Sequence, residues 1–268
     1  MKERLDVLLT AGGFCTSRER ARNRIIAGDV TVNGRTVTKP GTMVSEEDHI
    51  ELSGEDMRYV GRGGYKLEKV LTDFSVQLTG RTCIDVGAST GGFTDCMLQH
   101  GAAKVYAIDV GTDQLAESLR ADERVVSMEQ TNIREVTPEM LSGEADFLAA
   151  DVSFISLTKV LPIFRTLVRE GGQIACLIKP QFEAGKALVG KHGVVKDRRA
   201  HRTVITEVMQ CAVSCGFSVD GLCYSPICGQ NGNIEYLFLA TRNEMTNPMM
   251  DTGTIERIVN EAFLHHGK

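Results

Sequence analysis

The sequence lacks several patterns that would assign it to large classes of protein. No stretch approaches the roughly 18 consecutive apolar residues of a membrane-spanning helix, and residues 1–6 are charged, unlike the apolar core of a secretion signal. The eight cysteines form no C-x-x-C pair and the six histidines show no ligand spacing, so we interpret the cysteines as small core residues in a reducing compartment. These absences predict a soluble, cytoplasmic protein that binds neither metal nor membrane.

Two common phosphate-binding motifs are missing from the glycine-rich segment T-C-I-D-V-G-A-S-T-G-G-F, residues 82–93. The segment contains neither G-x-G-x-x-G nor G-K-[ST]. A strand pattern ends there in a glycine turn, and a helical pattern begins at Phe93 or Thr94. Small residues beside helix N–H groups are typical of a nucleotide-type pocket, and the alternative is a purely structural turn between strand and helix.

Acidic residues indicate which nucleotide this pocket would bind. Asp85, at the loop, would repel pyrophosphate and attract an amino group or a sulfonium. Asp109 ends the next predicted strand and is placed to accept the ribose hydroxyls of an adenosine. Thr131 and Asn132 follow a third strand, where an adenine edge needs hydrogen-bond partners. The pattern favours S-adenosylmethionine, and the predicted cofactor-binding residues are Asp85, Gly87, Ala88, Ser89, Thr90, Gly91, Gly92, Phe93, Asp109, Asn132 and Asp151.

Charge is distributed unevenly along the chain. The net charge is −5, yet residues 1–40 carry eight Lys and Arg against four acids, or +4. A helix that follows the capping-box spacing at 16–19 should turn Ala21, Ile25 and Ile26 inward. The arginines of this helix are predicted to occupy its polar side, where they form either a phosphate-binding surface or an ordinary solvated face.

A hairpin signal with Asn-Gly at its centre follows at residues 29–37, and strand 50–52 completes a small sheet. The arginine helix, the N-G hairpin and the acidic strand, in this order, resemble the RNA-binding domain of ribosomal small-subunit protein four. That resemblance covers residues 2–53 and implies contacts to the phosphates of folded RNA. The residues expected to bind RNA are Arg4, Arg18, Arg20, Arg22, Arg24, Arg35 and Arg62.

Strand and helix patterns alternate after a glycine-containing joint that becomes helical near Tyr65. Helices are predicted at 113–120, 157–168 and 198–215. This alternation predicts an α/β fold, a doubly wound and mostly parallel sheet of the Rossmann-like methyltransferase type, whose ligands lie at the carboxyl ends of the strands. We expect a small RNA-binding domain at 1–56, a linker at 57–65, the methyltransferase domain at 66–245, and a tail with a helix at 246–268.

Charged residues follow four of the predicted strands, namely Asp85, Asp109, Asp151 and Lys179. Lys179 closes the apolar strand I-A-C-L-I-K-P, where partial desolvation favours the neutral, basic form of its amine. A strand-end lysine that only reaches solvent is the alternative. Phe154 is expected either to stack on a target base or to fill core, and we interpret the long loop 181–196 as a lid ordered by RNA.

Seven motifs carry a second resemblance across nearly the whole chain: R-G-G-Y-K-L, D-V-G-A-S-T-G-G-F-T, D-V-G-T-D-Q-L, A-D-V-S-F-I-S-L, I-K-P-Q-F-E, G-V-V-K-D and G-N-I-E-Y. In this order they resemble the hemolysin-A/TlyA-type family of ribosomal RNA 2′-O-methyltransferases. The resemblance implies an FtsJ-like catalytic domain, S-adenosylmethionine as methyl donor, and ribosomal RNA in ribosomal subunits, with a cytidine target, as substrate. It also implies a catalytic tetrad of Lys66, Asp151, Lys179 and Glu235.

Three other functions remain open at this point. A base-directed RNA N-methyltransferase is one, although D-V-S-F lacks the two prolines of the D-P-P-Y motif of such enzymes. The hemolysin label of the family suggests a membrane-active protein, which would need an apolar or strongly amphipathic segment. The third is a ribosome-binding factor that has lost catalysis, which an intact tetrad argues against.

Overall fold

The computed structural model describes residues 2–15, 17–45, 47–52, 58–243 and 250–267. The chain separates into two compact units, Met1–Gly61 and Arg62–Lys268. Helix α3 of the second unit begins at Gly63, two residues before the predicted start, so the last residues of the expected linker are helical. Residues 53–57 and 244–249, near the proposed domain borders, lie outside the described residues.

The first unit combines two helices with short strands. Its elements are β1 (Lys2–Arg4), α1 (Leu5–Ala11), α2 (Arg18–Ala27), β2 (Val30–Val32), β3 (Arg35–Thr36), β4 (Met43–Ser45) and β5 (Ile50–Leu52). Strands β3, β2 and β5 form the predicted antiparallel sheet. Strand β1 pairs with β4, which the pattern did not predict because β1 contains only charged residues.

A small core holds this unit together, with Leu5 and Leu9 of α1 packed beside Ala21 and Ile25 of α2. Two expectations for α2 were wrong. Ile26 is 60% exposed, and Arg24, expected on the polar side, is fully buried. The side chain of Ser17 caps α2 by accepting the N–H of Arg20, whereas Thr16 of the predicted capping box lies outside the described residues.

The second unit is built on a seven-stranded sheet with the order β11-β12-β10-β9-β6-β7-β8. Its strands are β6 (Thr82–Val86), β7 (Lys104–Ile108), β8 (Val125–Met128), β9 (Ala145–Ala150), β10 (Val168–Ile178), β11 (Phe217–Tyr224) and β12 (Tyr236–Arg242). Strand β12 runs antiparallel to both of its neighbours, while the pairs among β6 to β10 are parallel. The predicted mostly parallel sheet is confirmed.

Helices cover both faces of this sheet, as in doubly wound folds. They are α3 (Gly63–Asp73), α4 (Gly92–Gln99), α5 (Glu117–Arg120), α6 (Leu161–Leu167), α7 (Pro180–Glu183), α8 (Gly185–Leu188), α9 (Arg198–Ser214) and α10 (Thr252–His266). Apolar residues of the strands pack with α6, α9 and α10 in one core, whereas α3 packs with α4, which contacts β6 and β7.

Two predicted helices of this unit are shorter than expected. The segment 113–120 is helical only from Glu117. The predicted helix 157–168 is divided into a 3-10 turn, Leu157–Lys159, and helix α6, with Pro162 in its first turn. Strand β10 then begins at Val168, so the predicted strand is longer and follows the helix directly.

Candidate active site

Charged side chains meet at the edge of the sheet where the parallel strands have their carboxyl ends. Asp109 follows β7, Asp151 follows β9 and Lys179 follows β10. The glycine turn after β6 joins the same edge, because the backbone N–H of Asp151 donates to the carbonyl of Val86. Gly87 is required there: its φ is +82°, and a Cβ would lie 2.5 Å from the Asp151 carbonyl oxygen.

Four charged side chains from distant parts of the chain form one connected cluster. Lys179 Nζ lies 2.5 Å from Asp151 Oδ1, and Lys66 Nζ lies 3.5 Å from Asp151 Oδ2. Lys66 also donates to Glu235 Oε2 at 2.8 Å. Asp151 is therefore shared by two lysines, and the cluster contains all four residues of the predicted tetrad.

Burial makes these contacts strong. Lys66 and Lys179 are each 8% exposed, and Glu235 is 2% exposed, so water screens the charges poorly. Burial by itself would lower the pKa of Lys66, but the carboxylates of Asp151 and Glu235 outweigh it and raise that pKa above its usual range. The two carboxylates beside Lys66 therefore keep this lysine cationic.

Two polar side chains that the sequence analysis did not single out complete the cluster. Lys179 Nζ donates to Ser153 Oγ at 2.8 Å, and Gln181 Nε2 donates to Glu235 Oε1 at 3.2 Å. Ser153 belongs to the D-V-S-F motif and Gln181 to I-K-P-Q-F-E. Their position inside two of the quoted motifs was the available signal.

A cavity of about 540 Å³ lies beside the cluster, within the usual range for small-ligand pockets. Five of the predicted cofactor-binding residues line it, namely Gly87, Ser89, Asp109, Asn132 and Asp151. Asp109 is held in place because Oδ2 accepts the N–H of Ser89 at 2.8 Å and Oδ1 accepts that of Gly111 at 2.7 Å. Each oxygen of Asp109 keeps lone pairs for another donor.

The other predicted cofactor-binding residues do not line this cavity: Asp85, Ala88, Thr90, Gly91, Gly92 and Phe93. Gly91 meets Leu115 and Leu119 instead, since a Cβ there would lie 2.3 Å from Leu119 Cδ1. Phe93 is 3% exposed and packs in the interior.

Asp85 does not present a charge to the cavity, which corrects the expectation for this residue. Its side chain is fully buried, and Oδ2 accepts both the N–H and the hydroxyl of Thr94, at 2.8 and 2.7 Å. Burial, only partly opposed by these hydrogen bonds, raises the pKa of Asp85 to about 7. Among the described residues, Oδ1 has no hydrogen-bond partner, so an acceptor at the glycine turn is unsatisfied.

An exposed aromatic side chain stands at the rim of the cavity. Phe154 is 88% exposed, which excludes the expectation that it fills core. Its φ is +64°, a left-handed conformation that costs energy in a residue other than glycine. The ring of Phe182 lies 4.9 Å away, centroid to centroid. A strained, exposed ring next to Ser153, which contacts Lys179, is a feature expected of a binding surface.

The arginines of the N-terminal unit differ in their surroundings. Arg4 and Arg18 both contact the buried carboxylate of Asp6, at 2.9 and 3.1 Å, and the Arg4 guanidinium, aided by Arg18, lowers the pKa of Asp6 to about 2. Arg22 and Arg35 are exposed and Arg20 is half-buried. Arg24 lies 3.0 Å from Asp29 and has a structural role in the core, which corrects its expected place on the RNA-binding surface. Arg62, in the other unit, is exposed.

Within the part of the chain that the structure describes, no three His, Cys, Asp or Glu side chains are grouped so that they could hold a metal ion. None of the described helices has the length and apolar character needed to cross a membrane.

A doubly wound sheet, a cavity at the carboxyl ends of its strands and a lysine-carboxylate cluster beside it define a Rossmann-like methyltransferase. A model described as FtsJ-like methyltransferase matches residues 59–242, and a model described as S4 domain matches residues 3–50. The chain belongs to the FtsJ-like methyltransferase family, in its hemolysin-A/TlyA-type branch, and carries an S4 domain at its N-terminus. Both resemblances found in the sequence are confirmed.

Three relatives illustrate this similarity. YqxC of Bacillus subtilis is 48% identical over 237 residues, 88% of this chain and 84% of YqxC. The 16S/23S rRNA (cytidine-2′-O)-methyltransferase TlyA of Mycobacterium tuberculosis is 42% identical over 263 residues, 98% of this chain and 97% of TlyA. A solved structure from Streptococcus thermophilus, described as a candidate hemolysin, is 44% identical, covers 99% of this chain and 97% of its own, and has a TM-score of 0.79.

Proposed function

We propose that this protein transfers a methyl group from S-adenosylmethionine to a ribose 2′-hydroxyl of ribosomal RNA, at a cytidine. The observation that carries the proposal is the hydrogen-bonded cluster of Lys66, Asp151, Lys179 and Glu235. Asp151 also lines the adjoining cavity, so the cluster and the cofactor would share one wall. The cytidine and the ribosomal substrate come from the names of the TlyA relatives.

The residues of the cavity fit S-adenosylmethionine. Asp109 has free lone pairs for ribose hydroxyls, and Asn132 keeps its side-chain N–H groups for an adenine, because its carbonyl oxygen accepts the N–H of Arg134. Apolar side chains of Ile108 and Ile133 line the same space, which suits a flat base.

The cluster supplies the groups that this reaction needs. When bound, S-adenosylmethionine provides an electrophilic methyl group on a positively charged sulfur. A ribose hydroxyl is a poor nucleophile, so Lys179, in its unprotonated form, accepts the 2′-hydroxyl proton at Nζ as the oxygen attacks. Asp151, 2.5 Å away, orients that amine. Lys66 stays cationic between Asp151 and Glu235 and can donate to the ribose oxygens, which holds the hydroxyl in line.

RNA recognition is divided between the two units in this proposal. Exposed arginines of the S4 domain, Arg22 and Arg35 among them, would contact phosphates. The exposed ring of Phe154 would stack on the target base once that base has left its helix. Because ribosomal RNA is the substrate, we place the enzyme in the cytoplasm, and the domain borders remain those proposed from the sequence, apart from the earlier start of α3.

Nucleoside analysis tests the proposal directly. Purified protein is incubated with labelled cofactor and with ribosomal subunits from cells that lack this methyltransferase. The RNA should then yield labelled 2′-O-methylcytidine after digestion to nucleosides. A label on the base instead of the ribose would identify a base-directed N-methyltransferase. Binding of the cofactor by calorimetry, measured alongside, separates a catalyst that lacks its true RNA from a ribosome-binding factor that has lost the cofactor site.

A further inference from the structure

A second concave surface, distinct from the cofactor cavity, lies on the methyltransferase unit. It encloses about 830 Å³ and is formed by the loop after α8 and the 3-10 turn Gln230–Gly232. Three basic side chains line it, namely Lys191, His192 and Lys196. We call it the basic groove. Residues 193–197 of its wall are the G-V-V-K-D motif, to which the reaction described above gives no role.

The charge of the basic groove is unusual for this chain. Residues 184–197 carry three lysines and one aspartate in a protein of net charge −5. Within the described residues, the ammonium groups of Lys191 and Lys196 have no carboxylate partner, unlike Lys66 and Lys179. Asp197 also lines the groove and keeps its negative charge, although its Oδ1 accepts the N–H of Arg199 at the start of α9. The groove therefore offers two exposed ammonium groups against one carboxylate.

Buried amide contacts fix the shape of the groove. Asn233 is 2% exposed; its Nδ2 donates to the carbonyls of Gly193 and Gln230, and its Oδ1 accepts the N–H of Val195. Asn231 adds a contact from Nδ2 to the carbonyl of His192 at 3.2 Å. The loop is thus held before any ligand binds, unlike the RNA-ordered lid expected from the sequence, and this lowers the entropy cost of binding.

The position of the groove relates it to the reaction. Gln230 lines the cofactor cavity, and the next two residues line the basic groove, so a single turn separates the two. Glu235 of the catalytic cluster follows a few residues later. A polyanion that places one unit at Lys179 would extend past this turn. Its next charged groups would then reach Lys191 and Lys196.

We propose that the basic groove binds backbone phosphates of the RNA strand that carries the target nucleotide. The inference rests on the proposed function for the identity of the strand, and it adds a phosphate-binding site on the catalytic unit that is separate from the S4 domain. Lysine ammonium groups suit this task because they act as mobile point charges toward phosphate.

The test is the salt dependence of RNA binding by the full chain. Each phosphate contact to a single strand contributes about 0.7 to the slope of log affinity against log salt. The double variant Lys191→Ala/Lys196→Ala should therefore lower the magnitude of that slope by about 1.4. The factor by which affinity falls between 50 and 200 mM salt should then be about sevenfold smaller than in the wild type. The probe is a set of small and large ribosomal subunits from cells that lack this methyltransferase. Calorimetry with S-adenosylmethionine should show unchanged cofactor affinity.

Lys104→Ala is the matched control. Lys104 begins β7, at the amino end of the strands and so at the opposite edge of the sheet, and its removal should leave the slope unchanged. A slope that stays at the wild-type value in the double variant would overturn the proposal that the basic groove binds RNA phosphates. If wild-type protein methylates no ribose but the slope still falls, the groove stands and the proposed function fails. If ribose is methylated and the slope does not fall, the proposed function stands and the phosphate-binding role of the groove fails.

Discussion

Lys179→Ala separates the proposed base from a structural lysine. In the wild type, Lys179 Nζ contacts Asp151 Oδ1 at 2.5 Å and Ser153 Oγ at 2.8 Å. The substitution removes this amine and leaves a space beside the cluster. Lys66 remains within 3.5 Å of Asp151, so the carboxylate keeps one cationic partner. Lys179 does not line the cofactor cavity, and the variant should bind S-adenosylmethionine with nearly normal affinity.

The expected magnitudes follow from these contacts. Loss of a positioned general base lowers the rate of a reaction by about 10²–10⁴-fold. Stability should change much less, because Asp151 is partly exposed and keeps Lys66. We expect a loss of about 1–3 kcal/mol in the free energy of unfolding, which corresponds to a decrease of about 2–12 °C in Tm for a unit of this size.

Single-turnover transfer of labelled methyl to RNA gives the rate, and added amines give the mechanism. A small primary amine such as ethylamine fits the space that Ala leaves and can accept a proton, so it should restore part of the rate. Tetramethylammonium carries charge but cannot accept a proton and should not. Calorimetry with the cofactor and a thermal melt establish that the variant is folded and loaded.

Two results would refute this reasoning. Turnover of Lys179→Ala within tenfold of the wild type would remove Lys179 from the role of base. Equal rescue by ethylamine and tetramethylammonium would show that the lysine acts through its charge alone, and the proton acceptor would have to be sought elsewhere, with Asp151 the nearest carboxylate.

Three further predictions concern other parts of the molecule. Phe154→Gly should relieve the strain of a φ of +64° and raise the unfolding free energy by about 1 kcal/mol. The same variant should transfer methyl groups to RNA more slowly. A less stable variant would contradict the strained backbone, and unchanged turnover would contradict stacking of Phe154 on the base. Asp85 has a pKa raised to about 7, so the folded state prefers the protonated acid. The cost of ionisation is absent below the unfolded pKa near 4 and builds up to about 4 kcal/mol as pH rises to 7. The Tm of the wild type should thus fall relative to Asp85→Asn between pH 4 and 7, and parallel curves would contradict this. Arg24→Ala should cost about 1.5–3 kcal/mol, because it removes a fully buried side chain and its charged contact to the half-buried Asp29. Arg22→Ala should change stability by less than about 0.5 kcal/mol and weaken RNA binding. Urea unfolding and filter binding measure both effects, and equal stability of the two variants would contradict the assignment.

Parallel strands made part of the active site predictable from local patterns alone. Strands that alternate with helices bring their carboxyl ends to one edge, so Asp109, Asp151 and Lys179 could be expected together. Lys66 and Glu235 could not be placed in this way. They are separated by 169 positions, Lys66 lies within a helix, and Glu235 precedes the antiparallel strand β12. Only the resemblance to a family, and not periodicity or spacing, predicted them as partners.

Arg24 and Asp85 show why two of the local predictions failed. In α2, Arg24 lies three residues after Ala21 and next to Ile25, on the face that the helical period turns inward, although its charge favours an exposed position. In β6, Asp85 alternates with Ile84 and Val86, whose side chains join the core on one face. The period of two therefore directs Asp85 to the other face, toward Thr94 of α4, and away from the loop. In both cases the period of the element, rather than the type of residue, determined the environment. A charged residue at an inward position therefore predicts a specific partner. The partner of Arg24 is Asp29, and that of Asp85 is Thr94. An unmatched inward charge would be too costly to retain, so the sequence itself predicts that such a partner exists.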